Sequence, residues 1–494
     1  MTPAKAAIAM NLSGIRDPRS DGPQGDAIPF FHEGRYHLYY LEAPTGKLDQ
    51  PERGRTPWRH VVSDDLVHWQ DLGIVLPLGT RDEADPDGIW TGSVVARDGR
   101  IYIFYTGGNR PRETPQTVCL ATSTDGIVFT KDPRNPLFGP DLAHFEARDW
   151  RDPFVFWNEA RGEYWMLLSG RVLGGAPGRR GVIVLCTSPD LDAWTVHPEP
   201  FYAPGNTWCM ECPEMFELGG KWRLIYSRFS EQAATIYREA DGPDGPWRTP
   251  AYPALDGARW YAAKSLTDDK GRRIAFGWVH DRRGFADAGE WLWGGDMCLP
   301  REIYAGPGDR LCVRVPQEIE DWLDRAEPLA VAPRQGDWAA GGVSAPGAFG
   351  SADIALPEIT PELCRLTLDV AVADLRGGVG LSLLAGPAQT DGLALFIEAG
   401  SGKVTLGDIV SKEEADRAPE PHVVNWVAPR SDGAFRIDIY LRGNILEIFI
   451  DRQVALTHRT YRTAKLNPIV YVEDGTATFA AELATHAGPA GRAL

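Results

Sequence analysis

The sequence contains no apolar run long enough to span a bilayer as a helix, which sets aside helical membrane proteins. Basic residues are in the minority. With 51 Lys and Arg against 68 Asp and Glu, the formal net charge is −17, the wrong sign for a nucleic-acid partner. Cysteine is sparse and odd in number, seven in all, scattered through strand-like stretches such as Val118-Cys119-Leu120 and Leu185-Cys186-Thr187. That pattern suits buried reduced thiols rather than a disulfide framework. Cys209-Met210-Glu211-Cys212 spells C-x-x-C, but no second pair follows at zinc-ribbon spacing and no βαβ pattern surrounds it. Neither a metal nor a redox role is therefore expected. The metalloprotease, esterase, P-loop and dinucleotide-binding motifs are missing too. Met1 to Leu12 lacks the apolar core of a secretory signal, which reads as a cytoplasmic protein.

Aromatic residues are plentiful: 17 Trp, 15 Tyr and 18 Phe. Such rings stack on sugar faces, although most must serve sheet packing. At 494 residues the chain is too long for one ordinary core, so two domains are expected. Long amphipathic helices are nearly absent, and short aromatic and β-branched runs alternate with Gly, Asp, Asn and Pro turns. The reading is all-β.

One unit recurs along the first 310 residues or so. Tyr36-His37-Leu38-Tyr39-Tyr40 is followed by Ser63-Asp64-Asp65-Leu66-Val67-His68-Trp69, and Ile101-Tyr102-Ile103-Phe104-Tyr105 by Ser123-Thr124-Asp125-Gly126-Ile127-Val128-Phe129. Tyr164-Trp165-Met166-Leu167-Leu168 is followed by Ser188-Pro189-Asp190-Leu191-Asp192-Ala193-Trp194. A fourth copy pairs Trp222-Arg223-Leu224-Ile225-Tyr226 with Asp241 to Trp247, and Arg273 to Trp278 opens a fifth. A period of roughly 55–65 residues leaves room for four strands with generous loops, and five such units predict a five-bladed β-propeller over residues 1–312. Residues 313–340 read as a linker with a short helix at Pro316 to Leu323. The alternating strands Leu366 to Val370, Leu393 to Ile397 and Phe435 to Tyr440 then predict a β-sandwich over 341–487.

A propeller focuses its inner strands on one axis. Three carboxylates stand just before aromatic strands at the starts of repeats: Asp26 before Ile28-Pro29-Phe30-Phe31, Asp152 before Phe154-Val155-Phe156, and Glu211 ahead of Met215-Phe216. Equivalent positions on the blades would bring them together. Meeting carboxylates suit glycoside hydrolysis, in which one ionised acid attacks the anomeric carbon and a protonated partner donates to the leaving oxygen.

At these residues the chain resembles glycoside hydrolase family 32, the invertases, inulinases and other fructan hydrolases. Trp150-Arg151-Asp152-Pro153 is similar to that family's R-D-P motif, and Glu211-Cys212-Pro213 to its E-C-P motif. Trp58 to Trp69 is similar to the segment W-G-H-A-x-S-x-D-L-x-x-W, and Trp90 to Val95 to an aromatic-S-G-S-A segment. Gly271 to Trp278, Leu299-Pro300-Arg301-Glu302 and Ile439 to Phe449 extend the likeness over nearly the whole chain. The family's opening motif W-[ML]-N-D-P-N-G has no good match, and Asp26 lies one residue short of its offset from Tyr36.

The resemblance implies a retaining mechanism without cofactor or metal. It assigns Asp26 as nucleophile, Glu211 as acid/base and Asp152 as stabiliser of the transition state. Arg151, Trp58, Trp90 and Ser93 become substrate-binding residues, and a small oligosaccharide the partner. It names a non-reducing terminal furanoside, most directly β-D-fructofuranosyl, as substrate. The residues themselves leave open an arabinofuranosidase, a glycosyltransferase on the same propeller, a non-catalytic carbohydrate-binding propeller, and the oligomeric state.

Overall fold

A computed structural model describes residues 9–11, 22–230, 233–339, 341–357, 363–385, 391–409, 423–427, 433–461 and 467–486. It is all-β apart from one short α-helix and four 3₁₀ turns. Five antiparallel blades are arranged radially, and their inner strands touch in a closed ring. Those inner strands are Gln24–His32, Gly88–Arg97, Arg151–Asn158, Glu211–Leu218 and Tyr261–Thr267. The recurring aromatic strand of the sequence is the second strand of each blade. Arg273–Arg282, expected to open the fifth unit, is likewise second there, behind Tyr261–Thr267.

The serine/aspartate turns have a common cause. In the first blade Ser63 Oγ accepts the Asp65 N–H, and Asp65 Oδ1 accepts the N–H groups of Val67 and His68 at 2.9 and 2.8 Å. The same bonds recur at Ser123 with Asp125 and at Ser188 with Asp190. A backbone at positive φ closes each turn, at Leu66, Gly126 and Leu191. The closing tryptophans anchor themselves, Trp69 to the Leu66 carbonyl and Trp194 to that of Leu191. Side chains replace ladder bonds where the chain must leave the sheet.

Each inner strand begins with a β-bulge, seen as a register shift at Gln24/Ala27, Trp90/Gly92, Arg151/Phe154, Glu211/Glu214 and Tyr261/Lys264. In blades three, four and five the second bulge residue has positive φ: Asp152, Cys212 and Ala262. Its N–H is satisfied by the preceding blade. Asp152 donates to Thr106 Oγ1, Cys212 to Asp152 Oδ2 and Ala262 to Ser227 Oγ. The bulges thus lock blade to blade and turn side chains toward the axis at one end of the ring. The ring closes between last and first blades through Trp291–Met297, which pairs with Arg273–Arg282 and, at Gly295, with Gln24.

Beyond Arg314 comes the helix Gln317–Trp322, with Ile319 fully buried between the two halves of the molecule. Residues expected as the rest of a linker instead form the strands Arg325–Leu329, Val331–Gln335 and Asp337–Ala339. They pair with the sandwich strands Asn467–Thr485 and Gly342–Ile354. Their mostly exposed residues hide the alternation that marks a half-buried strand. The 19-residue strand Asn467–Thr485 pairs first with Gly378–Ala385 and then with Cys364–Ala373, stitching the two layers around a core of Leu, Ile and Val. Among the described residues no helix is long and apolar enough to cross a membrane.

Candidate active site

The bulges of blades one, three and four bring Asp26, Asp152 and Glu211 into the lining of one pocket of about 200 Å³, with Arg151, Trp90, Trp293, Leu41, Gly54, Gln50 and Gln116. The carboxylates do not occupy equivalent positions, as the repeat had suggested. Glu211 is the first residue of its bulge, Asp152 the second and Asp26 the third. A local reason shifts the acid in blade one. A Cβ at Gly25, the second position, would come within 2.5 Å of the Trp293 ring. Trp293 fills that space, so the carboxylate follows one residue later.

Each acid has a distinct environment. Asp26 Oδ1 accepts the Trp278 indole N–H at 2.9 Å, Oδ2 accepts the Thr91 hydroxyl, and the Cys212 thiol lies 3.7 Å from Oδ2. Burial raises its pKa to about 7, the charges of Asp152 and Glu211 add to the rise, and the Thr91 and Trp278 bonds oppose it. Asp152 is buried, with Oδ2 taken by the Cys212 N–H at 2.8 Å. Glu211 Oε1 accepts from Arg151 at 2.8 Å and Oε2 from the Tyr261 hydroxyl. Burial pushes Glu211 above the usual carboxylate range, Arg151 pulls against it and Asp152 pushes further. Among the described residues no group of three or more His, Cys, Asp and Glu is set to hold a metal ion.

The Asp26 environment makes a testable demand on stability. Its folded pKa lies above the value near 3.9 of an unfolded chain, so the folded state holds the extra proton between about pH 4 and 7. Stability is lost as pH rises through that window. Asp26→Asn is expected to melt higher than the parent above pH 7, by about 2 °C or more, and to lose this advantage near pH 4. Melting curves at the two pH values check it.

Residues 23–314 match the Glycosyl hydrolases family 32 N-terminal domain. The chain belongs to glycoside hydrolase family 32. It is 29% identical over 319 residues to a raffinose invertase and 31% identical over 321 residues to a sucrose-6-phosphate hydrolase, both from Escherichia coli. Each match covers 61% of this chain and 63% of the relative, just under two thirds of its length. Among solved structures, fructan 1-exohydrolase IIa of Cichorium intybus superposes with a TM-score of 0.72 at 19% identity, covering 96% of this chain and 98% of that one. A family 32 β-fructofuranosidase of Bombyx mori gives 0.69 at 20% identity, with 96% of each chain covered.

Arg151 and Trp90 line the same pocket as the three carboxylates. Trp90 is wedged between Gly88 and Gly108, where added Cβ atoms would press on its ring, and its indole donates to the Gly54 carbonyl at 2.8 Å. Trp58 is no pocket wall. It is fully buried in the core beside Tyr39 and Tyr105, donating to the Trp90 carbonyl, so it supports the wall from behind. Ser93 also lies elsewhere. Two residues past its bulge, its Oγ accepts the Val155 N–H, and it lines a separate cavity along the propeller axis. Sequence reading overlooked Tyr261 and Trp293. Tyr261 occupies in blade five the bulge position that Arg151 and Glu211 occupy in theirs, but the strand after it lacks the aromatic run that marked the other blades.

Proposed function

We propose that this protein releases a non-reducing terminal furanoside, most directly a β-D-fructofuranosyl unit, from short oligosaccharides by retaining hydrolysis. One observation carries the reading: Asp26 and Glu211, from different blades, line a single small pocket in which only Glu211 is bonded by an arginine and a tyrosine. Asp26 as carboxylate attacks the anomeric carbon, while Glu211 gives its proton to the departing glycosidic oxygen. Glu211, now ionised, takes a proton from the incoming water, which opens the glycosyl ester and frees Asp26. Asp152 keeps Oδ1 for ring hydroxyls, because Oδ2 is bound to Cys212. Arg151 and Tyr261 orient Glu211, and the Trp90 and Trp293 rings flank the sugar.

In this reading the propeller carries the chemistry, and the sandwich, with the strands Arg325–Leu329, Val331–Gln335 and Asp337–Ala339 paired into it, braces it. The names of the relatives, invertase and fructan exohydrolase among them, support fructose as the glycone. The test is a panel of sucrose, short inulin and levan oligomers and aryl arabinofuranosides, with the first-formed anomer followed by NMR. The expected result is fructose release with retention. Cleavage of arabinosides alone would give the pocket another glycone, and silence on the whole panel would sink the hydrolase reading.

A further inference from the structure

Beyond the three carboxylates, the inner strands of all five blades enclose a second cavity of about 410 Å³ along the axis. Lys264 lines it from blade five while acting electrostatically on Asp152 and Asp26, which line the catalytic pocket. It is 3% exposed, and its ammonium donates to the Gly92 carbonyl at 2.7 Å. Gly92 follows Thr91, whose hydroxyl holds Asp26.

A buried ammonium needs an anionic partner. Burial lowers the Lys264 pKa, and Cys212 and Glu214 of blade four, Asp152 of blade three and Asp26 of blade one oppose that fall, while the Gly92 carbonyl of blade two and the Phe154 ring of blade three lie against the ammonium. Glu214 is already claimed, by Arg273 at 3.0 Å and by both the N–H and the hydroxyl of Ser265. Glu211 is held by Arg151. Asp26 remains, together with Asp152, which Arg151 Nε approaches only to 3.9 Å.

We propose that Lys264 is a positioning residue of the catalytic pocket, its ammonium supplying the counter-charge beneath Asp26 and Asp152 and closing the floor against the axial cavity. This rests on the hydrolase reading above. Removing the charge disfavours the Asp26 carboxylate, so the acidic limb of kcat/KM moves to higher pH. For Lys264→Met the expected shift is upward by about one pH unit or more, whereas Lys264→Arg stays near the parent. Lys264→Gln, which keeps a donor for Gly92 without the charge, takes the place of the methionine variant if that one does not fold.

The Asp26 carboxyl is also titrated by 13C NMR in each folded protein, a readout that needs no substrate. If the panel above is silent, the hydrolase reading fails while the titration still decides the role of Lys264. A folded, uncharged variant whose Asp26 titration and acidic limb coincide with the parent's would overturn the proposal, even if turnover fell equally at every pH.

Discussion

With Glu211 replaced by glutamine, release of fructose from an unactivated oligosaccharide is expected to fall about 10²–10⁴-fold. Glutamine keeps the shape and can still accept the Tyr261 hydroxyl, but it has no acidic proton for the leaving oxygen. The loss should therefore depend on the leaving group. An aryl glycoside, whose phenolate departs without protonation, should lose much less in the first step. Asp26→Asn behaves differently, because a missing nucleophile costs both substrates alike.

The pH profile adds a second signature. Hydrolysis needs Asp26 ionised and Glu211 protonated, so in the parent Asp26 sets the acidic limb and Glu211 the alkaline one. In Glu211→Gln the alkaline limb disappears. The acidic limb stays near its parental pH, because Glu211 is already neutral where Asp26 ionises. Steady-state kinetics on both substrate types across pH check this. Equal losses for the two leaving groups would assign the proton donor to another residue.

What sequence could reveal depended on whether a signal was local. The serine/aspartate turns are closed by bonds spanning two or three residues, so their spacing survives in the sequence and marks the first three blades, while the recurring aromatic strands mark the other two. Asp152 and Glu211 sit in short motifs whose prolines mark the bulges. The facing of a side chain is not local. Trp58 and Trp90 both look like candidate walls, yet only packing against Gly88 and Gly108 turns Trp90 to the pocket, while Trp58 sinks behind it. Ser93 lies just past a bulge, and the extra residue decides which cavity it meets. Trp293 comes from a strand between the blade-five hairpin and its outer strands, far in sequence from Gly25. Its position is set by ring closure, which no window along the chain displays.

Arg301→Met is expected to destabilise the fold by about 3–5 kcal/mol, the largest effect predicted away from the pocket. Arg301 is fully buried where blade five meets the sandwich. Its guanidinium bonds Asp256 at 2.5 Å and Glu447 at 3.1 Å, reaches Thr457 Oγ1 at 2.6 Å, and covers the Trp260 ring. Asp256 also receives the Thr457 N–H, and Glu447 the Leu299 N–H, so both carboxylates are fastened across the interface. Methionine fills much of the space but leaves two buried acids without their shared cation. Burial already holds Glu447 above the usual carboxylate range, against the pull of Arg301 and Arg442. Without Arg301 its pKa rises further, so the folded variant binds a proton that the unfolded chain releases near pH 4. The deficit should consequently grow as pH rises from there. Denaturant unfolding of Arg301→Met and of the double variant with Glu447→Gln tests the mechanism. Recovery of part of the loss in the double variant identifies uncompensated charge as the cause. Simple addition of the two losses would instead make Arg301 a packing residue, held by Trp260 and indifferent to the acids around it.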